Sequence, residues 1–386
     1  MNPTRYSLGQ LILYALKLGA TGFGGPVALV GYMFRDLVEE RKWISEADYK
    51  EGLTLAQLAP GPLAAQLAIY LGYVDYRILG ATLVGLAFVL PSFLMVVLLG
   101  WFYQIYGGLP WMQAVFYGVG ASVIGIIAAS AYRLTKKTLG KNRLLWMIYL
   151  VSALSTAITE SENIWLILAG GILVWLVENP PLRFGSQVSL FSGISAIPLA
   201  FRTVVSSPPS GILGEIFLFF SKAGAFVFGS GLAIVPFLYG GVIKEHHWLN
   251  DRQFLDAVAV AMITPGPVVI TVGFIGYLVA GFPGACVAAL GTFLPCYLFT
   301  ILPAPYFKKY GKKPAIASFV NGITAAAIGA ITGAAIVLGR KSIMDFPTAF
   351  LALVTIGFLW KVKKIPEPVL IFASALAGFF LRFKFF

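Results

Sequence analysis

Charged residues are scarce in this chain of 386 residues: 11% are Asp, Glu, Lys or Arg, whereas 59% are hydrophobic. A soluble domain averages about 25% charged residues, so the composition excludes an ordinary water-soluble fold. Apolar windows of membrane-spanning length recur along the chain, for example Ile78–Trp101, Trp111–Ala131, Phe282–Leu302 and Pro314–Leu338. The sequence therefore predicts an all-α polytopic membrane protein.

Histidine and cysteine are almost absent, with two residues of each. His246 and His247 are adjacent in one charged loop, and Cys286 and Cys296 lie in one apolar segment, where we expect them to be packing residues. Neither pair has the spacing of a metal site, a disulfide framework or a nucleophile with its base. We therefore expect no metal, no cofactor and no catalytic residues, and the chain is not predicted to be an enzyme.

The chain contains an internal repeat. The motif Pro-Gly-Pro occurs at 60–62 and again at 265–267, and Lys17–Pro62 aligns with Lys222–Pro267 without a gap at 13 identical positions of 46. This indicates an N-terminal repeat at 1–177, a linker at 178–212 and a C-terminal repeat at 213–386. The linker segment Ser186–Val205 is apolar enough to supply one extra membrane crossing.

Loop charges predict that the two repeats are inverted, because basic loops are retained in the cytoplasm. In the first repeat Arg133–Arg143 is basic and Glu160–Glu162 is acidic, whereas in the second repeat Tyr306–Lys313 is basic and Arg340–Asp345 is weakly charged. The basic loops occupy different positions in the two repeats. The pattern therefore favours inverted-topology repeats, which are common in secondary transporters.

Each repeat is interrupted twice by helix-breaking residues, which predicts broken or re-entrant helices. Irregular backbone at membrane depth must be buried in protein or line a cavity. Helices that restart after such breaks point N–H groups and a partial positive charge at the interior, which suits an anion. The predicted substrate-binding residues at the breaks are Gly24, Gly25, Pro26, Gln57, Pro60, Gly61, Pro62, Gly229, Ser230, Gly231, Thr264, Pro265, Gly266 and Pro267.

Four charged residues precede the breaks at equivalent positions of the two repeats. Lys17 and Lys222 are predicted to assist anion binding, although a lysine there can also extend to the membrane interface. Glu51 and Asp256 lie nine residues before the prolines of Pro-Gly-Pro and are candidates for carrying a coupling proton, with an interfacial position as the alternative.

These motifs resemble those of the chromate ion transporters in their duplicated, two-domain form. The resemblance rests on five segments that cover both repeats: FGGP (23–26), RKWIS (41–45), QLAPGPLAAQLAIYLGY (57–73), KAGAFVFGSGLAIVP (222–236) and TPGPVVITVGFIGY (264–277). Two positions depart from the family pattern, since Ser230 replaces a common glycine and Met262 replaces a common glutamine that the first repeat keeps as Gln57.

The resemblance implies export of chromate from the bacterial cytoplasm, driven by the proton or membrane-potential gradient, by a multi-pass protein of the inner membrane. A sulfate or other oxyanion transporter and a passive anion channel remain as alternatives, because sulfate shares the shape and charge of chromate. The expected partners are the oxyanion and the lipid bilayer, with a homodimer left open and no nucleic acid.

Overall fold

A computed structural model describes residues 6–180 and 211–383, apart from residues 24, 108, 162, 230, 232–233, 311–312 and 362–366. The described chain is helical except for loops and one pair of two-residue strands. This confirms the predicted all-α polytopic fold.

The first repeat contains three short helices, two long helices and a final helix pair. Serine side chains define two of the starts, because Ser7 Oγ accepts from the N–H of Gln10 and Ser45 Oγ accepts from the N–H of Asp48. A π-helical turn at Phe34–Glu40 follows α2. The helices are α1 (Leu8–Thr21), α2 (Gly25–Met33), α3 (Glu46–Leu58), α4 (Leu63–Tyr106), α5 (Pro110–Leu139), α6 (Arg143–Thr159) and α7 (Ile164–Glu178), with strand β1 at Gly61–Pro62.

The second repeat has the same order of main helices, but its strand follows the first helix of the repeat and it has one additional short helix, Ala304–Tyr310. A π-helical turn at Gly240–Glu245 and a 3-10 turn at Val268–Ile270 stand beside its helices. The elements are α8 (Ile212–Phe226), β2 (Phe228–Gly229), α9 (Ile234–Tyr239), α10 (Asp251–Ile263), α11 (Thr271–Ile301), α12 (Ala304–Tyr310), α13 (Pro314–Ser342), α14 (Phe346–Lys361) and α15 (Glu367–Phe383).

The long helices α4 and α11 are each interrupted at equivalent positions of the repeat. Arg77 has φ 53° in α4, and Gly281 has φ 62° in α11, 204 residues later (281 − 77). Within the described residues, four helices are long and apolar enough to cross a membrane: Leu63–Tyr106, Pro110–Leu139, Val268–Phe307 and Pro314–Ser342.

The helices α5 and α13 occupy equivalent places in the two repeats and run antiparallel. Gly120, near the start of α5, lies beside Ser342 at the end of α13, and Ile124 lies beside Gly339. Equivalent helices that run in opposite directions define inverted repeats. The predicted inversion is therefore present in the fold.

The two repeats exchange their last helices. The helix α5 packs against α14 and α15 of the other repeat, and α13 packs against α6 and α7. Glycines permit the close approach: Gly322 lies on the backbone of Gly170, and Gly118 lies on the backbone between Ser374 and Gly378. The sequence division into halves thus describes the repeat, whereas the packed core is shared by both halves.

The described parts of the two basic loops, Arg133–Arg143 and Tyr306–Lys313, lie at one face of the protein, here called the basic face. Glu178 joins the chain segments next to them, because its two carboxylate oxygens accept from Asn142 Nδ2 over 3.0 Å and from Ser318 Oγ over 2.6 Å. The prediction that the two loops share one side is confirmed.

A cluster of charged residues, here called the ionic cluster, lies on the opposite face. Lys244 Nζ is 2.5 Å from Glu160 Oε2, and Lys341 Nζ is 3.6 Å from the same oxygen and 2.9 Å from Asp251 Oδ1. Tyr239 donates to Asp251 Oδ1 over 2.7 Å. The α6–α7 and α13–α14 loops therefore share this face, as the loop charges predicted.

The short helices of the two repeats enter the protein from opposite faces. The helix α12, next to the basic face, packs against α3, and its Phe307 packs against the apolar cluster that contains Tyr49 at the start of α3. In the second repeat the equivalent loop carries Lys244, which binds Glu160 on the opposite face. Each repeat therefore forms its own re-entrant hairpins, α1–α2 with α3–α4 and α8–α9 with α10–α11.

The linker segment Ser186–Val205, predicted as an extra membrane crossing, lies outside the described residues. Glu178, before it, lies on the basic face. After it, α8 packs Phe219 against His246 and Trp248 in the loop next to Lys244, at the opposite face. The repeat boundaries proposed from the sequence stay a prediction.

We expect Gly322→Ala to destabilise the protein and Gly357→Ala to stabilise it or leave it unchanged. A Cβ at Gly322 overlaps the carbonyl oxygen of Gly170, whereas a Cβ at Gly357 in α14 meets no atom. Overpacking costs about 1–3 kcal/mol, while alanine is favoured over glycine in a helix by about 1 kcal/mol. Thermal unfolding in detergent measures both changes, and equal Tm values for the two variants would contradict close packing between the repeats.

Candidate functional site

The four helix breaks converge through two backbone hydrogen bonds that are equivalent under the repeat. The N–H of Gly61 donates to the carbonyl of Val227 over 2.5 Å, and the N–H of Gly266 donates to the carbonyl of Gly22 over 2.9 Å. The strand β1 also pairs in parallel with β2, with Pro62 opposite Gly229. Each Pro-Gly-Pro break is thus bound to the glycine-rich break of the other repeat.

The central glycines of the Pro-Gly-Pro motifs have torsion angles that favour glycine. The φ angle is 143° at Gly61 and 95° at Gly266. Each also packs against the long helix of the other repeat, Gly61 against Cys296 and Gly266 against Ser92. Cys296 is fully buried, which confirms its predicted packing role.

New helices begin directly after the breaks, as predicted, although the prolines lie one residue away from the first helical position. Pro62 is the N-cap of α4, Pro267 is the N-cap of the 3-10 turn before α11, and Pro26 is the second residue of α2. Gly25 precedes it with φ 72°. The first-turn N–H groups of a helix have no partner within the helix, so these ends supply hydrogen-bond donors.

The N–H groups of Gly61 and Gly266 do not have the role that we expected for them. We predicted that they would donate to an anion, but both donate to carbonyl groups between the repeats. The reason is that irregular backbone in a low-dielectric interior must satisfy its own polar groups. Of the other predicted ligands, Gly24 and Ser230 lie outside the described residues, whereas Gly231 is buried against Val268 and Val269.

The polar side chains near the breaks divide into buried and exposed groups. Gln66 is fully buried and its Nε2 donates to the carbonyl of Pro60 over 2.8 Å, which leaves its Oε1 without a partner among the described residues. Thr264 is buried and donates to the carbonyls of its own helix, Val260 and Ala261. Gln57 is exposed. The buried Gln66 amide therefore contacts the break directly.

The predicted lysines and carboxylates have different environments. The side chains of Lys17 and Lys222 are exposed. Glu51 accepts a 2.7 Å hydrogen bond from Tyr70 within its own repeat. Asp256 is 4% exposed and Tyr103 of the first repeat donates to its Oδ2 over 2.6 Å. The structure thus connects Asp256, but not the lysines, to the interface between the repeats.

The two Pro-Gly-Pro breaks differ in exposure. Around the first, Gln57 is exposed and Pro60 is half-buried, whereas the equivalent Met262 is 4% exposed and Pro265 is buried. The two breaks are therefore unequally exposed although they are equivalent in the repeat. The first-repeat break, whose hairpin enters from the basic face, is the more open one.

Sequence reasoning missed three contact residues: Ser92, Tyr70 and Tyr103. Ser92 is buried, and its Oγ donates to the carbonyl of Gly19 over 3.3 Å beside Gly266. The register of the repeat could have found it, because Ser92 and Cys296 are equivalent positions (296 − 92 = 204). The tyrosines have no such signal, since tyrosine is common in membrane helices near an interface.

Inverted repeats that meet at broken helices define this chain as a multi-pass membrane transport protein and not an enzyme. The sequence model of the chromate transporter family matches residues 9–175 and 214–379, so the chain belongs to that family in its duplicated form. No solved structure matches the chain.

Three relatives cover almost the whole chain. A chromate transport protein of Cupriavidus metallidurans is 69% identical over 97% of this chain and 93% of its own length. A probable chromate transport protein of Synechococcus elongatus is 66% identical over 97% of this chain and 95% of its own length. A chromate transport protein of Pseudomonas aeruginosa is 31% identical over 97% and 93%, respectively.

We expect Gly266→Ala to destabilise the protein more than Gly281→Ala does. Both glycines have positive φ, so both alanines are strained by about 1–3 kcal/mol. At Gly266 the methyl group also overlaps Ser92 Oγ, whereas at Gly281 it meets no atom. Denaturant or thermal unfolding measures the difference.

The added change Ser92→Gly separates the strain from the overlap. In a double-mutant cycle, Gly266→Ala is expected to cost less in the Ser92→Gly background than in the natural chain. Equal costs in both backgrounds would show that the contact between Gly266 and Ser92 does not constrain the break.

Proposed function

We propose that this chain is a secondary active transporter that exports chromate from the cytoplasm and binds it where the four breaks converge. The observation that supports this most is the pair of equivalent hydrogen bonds, from Gly61 to Val227 and from Gly266 to Gly22. They join breaks from both repeats at one interface. A carrier needs a site between elements that can move relative to one another.

The chemistry of the breaks suits a tetrahedral oxyanion. Helix starts at Gly25, Leu63 and Val268 direct N–H groups and partial positive charge to the same region. Lys17 is exposed and lies five residues before Gly22, so it can attract an anion without forming a buried ion pair. Breaking a desolvated ion pair costs several kcal/mol, so partial charges favour release of the anion as well as binding.

The more exposed break supports export as the direction of transport. Basic loops are retained in the cytoplasm, so we assign the basic face to the cytoplasmic side, and the more exposed break enters from that face. The ionic cluster closes the opposite face by connecting Glu160 of the first repeat to Lys244 and Lys341 of the second. This arrangement corresponds to a carrier that accepts its substrate from the cytoplasm.

Asp256 is the better placed of the two candidate coupling residues. It is buried, and its hydrogen bond partner Tyr103 belongs to the other repeat. A change in its protonation therefore acts on the contact between the repeats. The hydrogen bond that Glu51 accepts from Tyr70 lies within its own repeat.

In proteoliposomes, the natural chain is expected to move chromate against its concentration gradient when a proton gradient or membrane potential is imposed. Asp256→Asn removes the titrating group and keeps the hydrogen-bonding shape, so we expect it to lose uphill transport and to keep exchange of internal for external chromate. Radiolabelled chromate flux measures both. Gly61→Ala is expected to abolish both activities, since its φ of 143° is strained for alanine and a methyl group there meets Gln66.

Lys17→Gln tests the role of Lys17, and Lys50→Gln is its control. Both changes remove one exposed lysine near the hairpins of the first repeat. Lys17→Gln is expected to weaken chromate transport several-fold and Lys50→Gln to leave it unchanged. Flux that only ever runs downhill would identify a passive channel, and stronger competition by sulfate than by chromate would identify a sulfate transporter. Full uphill transport by Asp256→Asn would exclude Asp256 from coupling.

The ionic cluster is expected to hold the opposite face closed at neutral pH and to open it in acid. Lys244 hydrogen-bonds Glu160 and holds the pKa of that carboxyl below its usual range. A depressed carboxyl pKa contributes stability above the unfolded-state pKa, and this contribution is lost as the pH falls through the folded-state pKa. Glu160→Gln should therefore mimic acid at neutral pH.

Labelling of a cysteine measures that opening. In a chain with Cys286→Ala and Cys296→Ser, a cysteine introduced by Thr264→Cys should react faster with an impermeant thiol reagent from the opposite face when Glu160→Gln is added. The variant Glu46→Gln, which removes an exposed carboxylate paired with Lys50 in the first repeat, is the control. Unchanged reactivity in the Glu160→Gln variant would show that the cluster does not close this face.

A further inference from the structure

A crevice of about 610 Å³ lies between α5, α6 and α13, apart from the helix breaks. Its walls are mainly apolar and include Ala128 and Ala131 of α5 and Ala335 of α13. Pockets of about 300–1,000 Å³ are typical of small-molecule sites in proteins. The crevice is therefore large enough for a ligand, and the transport site described above does not use it.

One end of the crevice is cationic and lies at the basic face. Lys136, in the last turn of α5, lines it. Lys136 belongs to the segment Arg133–Arg143, which has five basic residues and no acidic residue. Within the described residues no carboxylate lies within ion-pair distance of Lys136, whereas Arg133 is 3.8 Å from Glu367. The Lys136 ammonium thus has no anionic partner among the described residues.

Aromatic side chains surround the same end. Trp146 lines the crevice and is fixed by the hydrogen bond of its Nε1 to the carbonyl of Gly140, over 3.2 Å. Tyr132 lines it as well and contacts Trp360 at 5.5 Å between ring centroids. Exposed tryptophan and tyrosine concentrate at the level of lipid headgroups. This end of the crevice is therefore at the membrane interface.

From Lys136 to Ala128 the wall of α5 runs inward for eight residues, or about 12 Å at the helical rise. The order along it is a cation, then aromatic rings, then small apolar side chains. A phospholipid has the same order, with a phosphate, a glycerol region and an acyl chain. Basic pockets between membrane helices on the cytoplasmic side are suited to anionic headgroups.

We propose that this crevice binds one anionic phospholipid, with the phosphate at Lys136 and an acyl chain along Ala128, Ala131 and Ala335. The negative headgroup supplies the partner that Lys136 lacks among the described residues. The apolar walls cover an acyl chain, which a free phosphate does not have. A second copy of the chain in the crevice would leave the Lys136 ammonium without an established carboxylate partner.

Binding can be measured on the full-length protein in detergent by native mass spectrometry, with phosphatidylglycerol and phosphatidylcholine of equal chain length as probes. We expect one phosphatidylglycerol to be retained in preference to phosphatidylcholine. Lys136→Gln is expected to weaken phosphatidylglycerol binding about five-fold, the effect of one lysine at a lipid surface. Lys137→Gln, the adjacent exposed lysine that does not line the crevice, is expected to have a much smaller effect.

Filling the crevice tests the acyl-chain part separately. Ala335→Phe and Ala128→Phe are each expected to reduce retention of both lipids, and thermal unfolding identifies any variant that has lost its fold. Equal effects of Lys136→Gln and Lys137→Gln would overturn the proposal in favour of a diffuse basic surface. Competition by free glycerol phosphate as strong as that by the lipid, or a change of oligomer size instead of lipid retention in the filled variants, would also overturn it.

Discussion

The satisfaction of backbone polar groups inside an apolar protein is the constraint on which this structure depends. Each Pro-Gly-Pro break leaves peptide groups that no helix can pair, and each is met by a carbonyl of the other repeat, Val227 for Gly61 and Gly22 for Gly266. An unpaired group in such surroundings costs several kcal/mol. The interruptions that make a helix end available therefore also hold the two repeats together at that point.

The exchange of helices between the repeats also holds the two repeats together, in this case through the packed core. The helix α5 of the first repeat packs on α14 and α15, and the helix α13 of the second repeat packs on α6 and α7. Neither repeat therefore encloses its own α5 or α13. Glycines such as Gly118 and Gly322 lie where two backbones touch. The re-entrant hairpins consequently belong to one shared framework and not to two separate domains.

Electrostatics distinguish the two faces of this symmetric framework. On the basic face, Lys136 has no carboxylate partner among the described residues, whereas the opposite face joins Glu160, Lys244, Asp251 and Lys341 into one cluster. The repeats are equivalent in backbone but not in these side chains. One face is thus suited to a negatively charged membrane surface, while the other carries contacts that hold the two repeats together.

The sequence by itself determined the membrane class, the repeat, its inversion and the positions of the glycine-rich and Pro-Gly-Pro breaks, because composition, register, loop charge and Pro-Gly-Pro are local signals. It also indicated which loops share a face. It did not indicate the interruptions at Arg77 and Gly281 in the long helices. The tertiary structure decided which break meets which: Gly61 pairs with Val227 and not with its own repeat, Asp256 accepts from Tyr103 across the interface, and the predicted donors Gly61 and Gly266 are already used. Pairings between distant segments depend on how the inverted repeats pack in three dimensions, and no local pattern in the sequence records that packing.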